Sequence, residues 1–200
     1  MQVRKSIRAK FVCGVGINDA DYNISRSLDG RIIWRCPFYV VWSSMLVRCY
    51  SEKEKLRLPT YKDCKVCDEW LIFSNFKAWM ETQDWEGKDL DKDLLKEGNK
   101  VYSPEICIFV DHKINTFVLH HGNGSGQYMI GVHLHKKLNK FRARCCNPFN
   151  GKQESLGLFT TELEAHLAWK ARKHQLACQL ADSNYCNDGR LAEALRTRYL

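Results

Sequence analysis

The chain has 200 residues, 44% of them hydrophobic, with six Trp and a formal net charge of +8. This composition excludes an intrinsically disordered chain, and the length allows one or two small domains, each with its own core. No run of about 18 apolar residues occurs and the basic N-terminus lacks an apolar signal segment, so we expect neither a membrane span nor secretion. The excess charge is concentrated in residues 128–200, which hold 12 Lys and Arg against 6 Asp and Glu and therefore fit a polyanionic partner.

The first half of the chain is predicted to begin with an extended segment and to continue with helices. Residues 1–35 are rich in turns, and Gly14 and Gly16 indicate a structural turn, because a phosphate loop would need a third glycine and a following helix. Pro37 is well placed for the first turn of a helix. Apolar residues then follow at spacings of three and four and predict one helical face: Phe38, Val41, Trp42, Met45 and Cys49. After a polar loop, residues 73–80 predict a second helix.

Residues 88–115 are predicted to form a strand, a turn, a second strand and a helix. Asp91 and Asp93 fall on the first strand, Gly98 and Asn99 form the turn, residues 106–110 form the second strand, and Asn115 lies at the start of the helix. If this hairpin folds against the helix, carboxylate and amide oxygens converge in a way that suits a hard cation such as Mg²⁺. The alternative is that these side chains are solvated hairpin and helix-cap residues.

The motifs L-D-K-D (residues 90–93) and Y-S-P-E-I-C (residues 102–107), followed by Asn115, resemble the core of the degenerate HNH endonucleases encoded by bacteriophages. The resemblance runs from about residue 36 to residue 115. It implies that Asp91 and Asn115 hold Mg²⁺ or Mn²⁺ and that Asp93 or His112 activates water for phosphodiester hydrolysis. Lys92 stands where the family usually has a His, and a protonated lysine has no lone pair with which to act as a base.

Residues 120–126 contain three Gly in seven residues and predict a linker, so we place a domain boundary at residues 120–127. Short strands are predicted beyond it, at residues 128–133, 140–146 and 154–159. Lys140, Arg142 and Arg144 alternate with apolar residues, so the cations are expected on one face of the sheet and the apolar side chains on the other.

A helix is predicted to pack behind this sheet. Thr161 and Glu164 form a capping box at its start, and it is expected to run to about residue 180. Four of its apolar residues share one side: Leu163, Leu167, Ala168 and Ala171.

This pattern of three strands and a helix resembles the plant APETALA/ethylene-response-factor DNA-binding domain over about 50 residues. The matching segments are Gly131-Val132, the K-F-R-A-R run at 140–144, the L-G-L-F run at 156–159 and the helix start at 161–169. The resemblance implies a sheet docked in the major groove of double-stranded DNA, with Arg142 and Arg144 contacting bases or phosphates. The further predicted DNA contacts are Lys136, Lys137, Lys140 and Lys152. The alternative is a solvated basic strand that binds nothing.

Ten Cys in a chain without a secretory signal are typical of reduced thiols in a cytoplasm. Cys64 and Cys67 form a C-x-x-C pair, and with Cys36 and Cys49 they could bind a structural zinc. The spacing of Cys36 and Cys49 differs from that of a zinc knuckle, so buried, reduced cysteines are favoured over zinc.

The sequence therefore predicts an α+β protein with an HNH-like ββα-metal module and a C-terminal three-stranded antiparallel sheet packed on one helix. The predicted segments are an extended N-terminus (1–35), the HNH-like module (36–119), the linker (120–127), the APETALA-like domain (128–182) and a tail (183–200). The combination resembles phage-borne homing-type endonucleases, which act in the bacterial cytoplasm during infection. One alternative is a catalytically inactive DNA-binding regulator derived from such an enzyme, and another is a structural protein whose basic tail aids solubility.

Overall fold

A computed structural model describes residues 10–119 and 127–200, and the chain divides into two compact units, Met1–Phe109 and Val110–Leu200. The described residues form six α-helices and several small sheets, which confirms the predicted α+β class. None of these helices has the length and apolar character needed to cross a membrane. The predicted linker lies almost wholly outside the described residues, so it stays a prediction.

The first unit contains two short hairpins, three helices and several short strands. In chain order its elements are β1 (Lys10–Val12), β2 (Gly16–Asn18), β3 (Ser25–Leu28), β4 (Arg31–Arg35), α1 (Pro37–Tyr50), α2 (Glu52–Arg57), β5 (Lys65–Val66), α3 (Phe73–Glu81), β6 (Lys88–Asp91), β7 (Val101–Tyr102) and β8 (Ile108–Asp111), the last of which extends into the second unit. Strands β1 and β2 pair with each other, as do β3 and β4, while β5 pairs with β7 in parallel and β6 pairs with β8.

The core of the first unit is aromatic and forms around α1 and α3, the two predicted helices. Trp42 and Trp70 are fully buried, and the Trp42 Nε1 donates a hydrogen bond to the Trp70 carbonyl at 2.7 Å. Gly14 has a positive φ of 75°, and a Cβ at Gly16 would overlap the Leu46 side chain. Gly14 therefore lies in the predicted turn, and Gly16, the first residue of β2, lets that strand pass close to α1.

Three details of the predicted hairpin differ from the structure. The Gly98-Asn99 turn does not lead directly into the paired strand, because β7 follows it and pairs with β5, while β6 pairs with β8. The second strand begins at Ile108 rather than at residue 106, because the backbone N–H groups of Ile106 and Cys107 both donate to the Ser103 carbonyl and form a turn there. Asp93 lies beyond the end of β6 rather than on it, because the Asp91 carboxylate closes a turn at that point.

The second unit contains α4 (His112–Val118), β9 (Val132–His135), β10 (Lys140–Cys146), β11 (Gln153–Phe159), α5 (Glu162–Ala181) and α6 (Gly189–Thr197). The three strands form an antiparallel sheet in the order β11-β10-β9, as predicted. The capping box is also confirmed: the Thr161 hydroxyl accepts from the Glu164 N–H at 3.2 Å, and the Glu164 carboxylate accepts from the Thr161 N–H at 3.0 Å. Residues 183–200, predicted as a tail, contain α6, whose Leu191 and Leu195 are buried.

The buried side of α5 is not the predicted side that carries Leu163 and Leu167. Leu163 and Leu167 are 56% and 52% exposed, whereas Ala165, Trp169 and Leu176 are buried. The small Ala165 allows the sheet to approach the helix, and the large Trp169 fills the space next to Gly131, where a Cβ would overlap the indole ring. Close approach to the sheet therefore decides which side of this helix is buried.

Candidate functional site

The outer face of the β9–β10–β11 sheet carries the predicted row of cations. Along β10, Ala143 is fully buried against α5, and Phe141 packs on Tyr128 with ring centroids 5.6 Å apart. Because side chains alternate along a strand, Lys140, Arg142 and Arg144 lie on the opposite face. The predicted alternation of cationic and apolar positions in β10 is therefore confirmed.

The neighbouring strands complete this face without contributing an acidic residue. In β9, His133 lies opposite Arg142 and His135 lies opposite Lys140. In β11, Leu158 lies opposite Arg142 and Ser155 lies opposite Arg144. We call this surface the basic sheet face; its residues are His133, His135, Lys140, Arg142, Arg144, Ser155 and Leu158.

The one acidic residue of β11, Glu154, points to the helix side of the sheet. Its carboxylate accepts two hydrogen bonds from Arg172 of α5, at 2.7 and 3.1 Å, and a third from Asn147 at 2.8 Å. The hydrogen bonds from Arg172 and then from Asn147 lower the pKa of Glu154 to about 2. This carboxylate therefore neutralises a cation of α5 and not the basic sheet face.

The cations of the basic sheet face are not paired with any side chain that the structure describes. Among residues 10–119 and 127–200, no side chain makes a hydrogen bond or an ion pair with Lys140, Arg142 or Arg144. Other arginines of the same unit are paired, for example Arg190 with Asp188 and Arg196 with Asp182. The contrast indicates a surface whose charge is available to an external anion.

The remaining predicted DNA contacts lie on the turns at the ends of the same sheet. Lys136 and Lys137 are exposed in the turn between β9 and β10, where Asn139 has a positive φ of 46°. Lys152 is exposed in the turn between β10 and β11. All six predicted contact residues are therefore on one three-stranded sheet or on its two turns.

The predicted nuclease site is built around Asp91, at the end of β6. Its Oδ1 accepts the backbone N–H groups of Asp93 and Leu94, at 2.9 and 2.7 Å. Its Oδ2 accepts no hydrogen bond within the described part of the chain. Burial and then the charge of Asp93 raise the pKa of Asp91, and the two backbone hydrogen bonds offset this rise only in part. Asp91 is thus a turn-closing residue with one oxygen still without a donor.

Lys92, next to it, is buried and acts as a structural residue. Its Nζ donates to Asp93 Oδ2 at 2.9 Å and to the Asn99 carbonyl at 3.1 Å, and the Asn99 amide donates back to the Lys92 carbonyl at 2.6 Å. Burial lowers the pKa of Lys92, but the hydrogen bond and charge of Asp93 outweigh it and hold the pKa above its ordinary value. Lys92 is therefore protonated and cannot be the base, as expected, and Asp93 is engaged as its counter-ion.

The other two predicted site residues, His112 and Asn115, lie on α4 in the second unit, whereas Asp91 and Asp93 lie in the first. Asp111 caps this helix by accepting the Lys113 N–H at 2.8 Å, and the ring of His112 is exposed, with Nε2 at 3.4 Å from the Thr116 hydroxyl. In the described ranges, no group of three or more His, Cys, Asp or Glu side chains is placed to hold a metal ion. A carboxylate and an amide oxygen have the ligand chemistry of a Mg²⁺ site, which stays a prediction.

All ten cysteines are free thiols. Cys36, Cys49 and Cys64 are buried in the core of the first unit and Cys67 packs against it. Burial raises the pKa of the Cys49 thiol to about 12 and also raises the pKa of Cys64 and Cys67. These cysteines occupy packing positions, and the predicted preference for buried thiols agrees with their exposure.

Sequence reasoning did not place three residues: His133, His135 and Lys173. His133 and His135 belong to the basic sheet face, and the V-H-L-H alternation of β9 was the signal that could have placed them there. Lys173 of α5 is 9% exposed, although it was not expected in the core. Nothing in its immediate sequence marks it as buried, because the groups near its Nζ are distant in sequence: Phe117 of α4 and Tyr199, which follows α6.

Comparison with known proteins gives no relative: the chain matches no protein-family model, no curated protein and no solved structure. The resemblances to HNH endonucleases and to the APETALA domain rest on the sequence motifs alone.

Proposed function

We propose that the chain binds double-stranded DNA through the basic sheet face. The observation that carries the proposal is the row of Lys140, Arg142 and Arg144, which has no acidic neighbour on its face and no ion-pair partner among the described residues. Leaving cations unpaired is unfavourable for a surface with no anionic ligand, since nearby like charges repel. A phosphate backbone supplies the missing counter-charge.

The face also divides into groups suited to the two kinds of DNA contact. Arg142 and Arg144 are in the middle strand, and a guanidinium can donate two parallel hydrogen bonds to the O6 and N7 atoms of guanine. Lys136, Lys137 and Lys152 lie on the flanking turns, where a compact ammonium suits phosphate contacts that position the protein without reading sequence. Two-stranded and three-stranded sheets are known elements of DNA recognition in grooves.

The test measures the affinity of the full chain for duplex DNA by fluorescence anisotropy at several salt concentrations. Arg142→Ala with Arg144→Ala should weaken binding by about 1–3 kcal/mol for each base contact that is lost. Each lost phosphate contact should lower the slope of log K against log salt by about 0.9. Both arginines lack hydrogen-bond and ion-pair partners in the described parts of the chain, so the double variant should unfold at the same temperature as the wild type.

The matched control removes two arginines of the same unit that are already ion-paired, by Arg190→Ala with Arg196→Ala. It changes the net charge by the same amount and should bind DNA nearly as well as the wild type. Equal affinity in the wild type and in the Arg142→Ala, Arg144→Ala variant would remove the basic sheet face from the proposal.

A second candidate function is metal-dependent hydrolysis of the bound DNA, as the resemblance to phage HNH endonucleases implies. The observation that favours it is Asp91, a partly buried carboxylate with a raised pKa and an Oδ2 that lacks a donor in the described residues. Asp91 and the Asn115 amide oxygen would hold Mg²⁺ or Mn²⁺, and the ion would supply charge stabilisation to the phosphate. Asp93 or His112 would take the proton from water, since Lys92 cannot.

Cleavage is tested on supercoiled plasmid with Mg²⁺, with Mn²⁺ and with EDTA. Asp91→Asn is the sharper variant than Asp91→Ala, because asparagine keeps the Oδ1 acceptor that closes the turn and removes only the charge. Cleavage that needs the metal and is lost in Asp91→Asn supports the nuclease. Tight DNA binding with no cleavage under any of these conditions supports the inactive DNA-binding regulator.

A further inference from the structure

The hairpin of β3 and β4 lies in the first unit, and every residue of both strands is exposed to solvent. Several of its side chains are nevertheless large and apolar, with Leu28 and Ile33 each 62% exposed and Trp34 40% exposed. A two-stranded hairpin gains little stability by itself in water, and neighbouring exposed apolar side chains mark contact surfaces.

The hairpin is nevertheless well formed. Asp29 and Gly30 both have positive φ, of 50° and 74°, which is the two-residue turn that matches the twist of a hairpin. At the base, the Cys36 N–H donates to the Ile24 carbonyl at 2.8 Å. The Arg26 guanidinium lies over the Trp34 ring, 5.2 Å from its centroid, and holds the two strands together. The hairpin therefore has a defined shape before it meets a partner.

The charge of the hairpin indicates which kind of partner it fits. Residues 25–35 contain three arginines and one acid, Asp29, and Arg26, Arg31 and Arg35 have no ion pair with any residue that the structure describes. Two copies of this chain would bring six such arginines together, so the like charges disfavour pairing of the hairpin with itself. A polyanion neutralises them.

The dimensions of the hairpin fit a groove of duplex DNA. Strands lie about 5 Å apart, so with side chains a two-stranded ribbon fits the major groove, which is about 12 Å wide. Arg26 lies on one strand and Arg31 and Arg35 lie on the other, so cations flank both edges of the ribbon, where the two phosphate backbones of a groove run. The exposed Leu28 and Ile33 can contact thymine methyl groups on the groove floor.

We propose that the β3–β4 hairpin is a second DNA-contacting element, a ribbon that enters the major groove and binds phosphates through Arg26, Arg31 and Arg35. This inference rests on the proposed function, since it deepens the binding of duplex DNA. It does not depend on the basic sheet face, because the hairpin belongs to the other unit and carries its own cations.

The experiment measures duplex affinity of the full chain as a function of salt for Arg26→Gln with Arg31→Gln and Arg35→Gln. Loss of three phosphate contacts should reduce the slope of log K against log salt by about 2.7. Between 50 and 200 mM salt, the wild type should then lose about 40-fold more affinity than the variant. A hydroxyl-radical footprint should also become shorter on one side.

The matched control removes three arginines that are ion-paired elsewhere, by Arg57→Gln, Arg190→Gln and Arg196→Gln. It changes the net charge equally and should keep the salt slope and the footprint of the wild type. A slope that falls equally in the control and in the hairpin variant would show a general charge effect and would overturn the proposal.

A second variant replaces residues 25–35 with Asn-Gly and uses the Ile24–Cys36 hydrogen bond as the base of a shortened turn. It should lose the same part of the footprint while keeping the far-ultraviolet circular dichroism expected of the remaining helices. A dimeric wild type that becomes monomeric in this variant with unchanged DNA affinity would identify a self-association surface and overturn the proposal.

The hairpin and the basic sheet face can fail separately. Unchanged binding in the hairpin variant, together with weaker binding in Arg142→Ala with Arg144→Ala, overturns the hairpin proposal and leaves the basic sheet face in place. Weaker binding in the hairpin variant alone supports the hairpin and refutes the basic sheet face. A wild-type chain that does not bind duplex DNA at all refutes both.

Discussion

We expect the protein to become more stable as the pH rises above about 8, because the buried ammonium of Lys173 then loses its proton in the folded state. The Nζ donates to the Phe117 carbonyl at 2.6 Å and lies 3.5 Å from the centroid of the Phe117 ring. No carboxylate in the described ranges pairs with it. Burial lowers the pKa of Lys173 to about 8, although the thiols of Cys145 and Cys146 act weakly in the opposite direction.

The sign and size of the effect follow from the two pKa values. The unfolded chain binds this proton up to the ordinary lysine pKa of 10.5, whereas the folded chain releases it at about 8. Between these values the unfolded state holds more protons, so the free energy of unfolding increases with pH. Each pKa unit corresponds to 1.36 kcal/mol, so the full gain from pH 8 to pH 10.5 is about 3 kcal/mol. Below pH 8 both states are charged and this gain is absent.

The test compares the wild type with Lys173→Met, which keeps a long unbranched side chain and removes the charge. Urea unfolding of the full chain is followed by circular dichroism from pH 7 to pH 10.5. The free energy of unfolding of the wild type, relative to the variant, should rise by about 3 kcal/mol over that range. Other groups titrate in both proteins and cancel in the difference.

Lys170→Met is the matched control, because Lys170 lies on the same helix but donates at the surface to the Leu200 carbonyl, at 2.7 Å. Its stability should run parallel to that of the wild type at all pH values. If Lys173→Met also runs parallel to the wild type, the ammonium is not held in a low-dielectric environment and the argument is refuted.

Three further predictions concern single sites. Gly131→Ala should lower the free energy of unfolding, measured by thermal unfolding, by about 2–4 kcal/mol, because the φ of Gly131 is +81° and the new methyl group overlaps Trp169. Gly151→Ala, at φ +68° with open space around it, should lower it by only about 1–2 kcal/mol. Asp91→Asn should be at least as stable as the wild type in EDTA, because it removes a desolvated charge. Millimolar Mg²⁺ should raise the melting temperature of the wild type but not that of the variant, and an equal rise in both would exclude Asp91 as a ligand. Thr161→Ala should lower stability by about 1 kcal/mol through loss of the capping box, measured by urea unfolding, and an unchanged midpoint would contradict that role.

Features that depend on neighbours in the chain could be predicted from the sequence. The start of α1 at Pro37 and the capping box at Thr161 involve residues within one helical turn, so their geometry is contained in a few consecutive letters. The cation row of β10 follows from the alternation of side chains along any strand. For the same reason the basic sheet face was the part of the candidate sites that the sequence predicted best.

The engagement of Lys92 with Asp93 and Asn99 needed the tertiary structure. The sequence shows that a lysine stands where a histidine is usual, but not what surrounds it. Its pKa depends on a balance between burial and a neighbouring carboxylate, and the balance is set by the turn that Asp91 closes. The L-D-K-D motif is compatible both with a Lys92 that loses its charge on burial and with a Lys92 that stays charged because a carboxylate pairs with it.

Burial in the core was decided by tertiary packing as well. The sequence of α5 offers two apolar sides, and only the approach of the sheet at Gly131 selects the side of Trp169 over that of Leu163. Lys173 becomes buried through other neighbours that are distant in sequence, since Phe117 of α4 and Tyr199, which follows α6, lie against its ammonium. The apolar residues of the β3–β4 hairpin likewise do not predict from sequence that the hairpin is exposed. Short-range geometry is determined by bonded neighbours, whereas burial and pKa depend on groups that are distant in sequence and meet only when the chain folds.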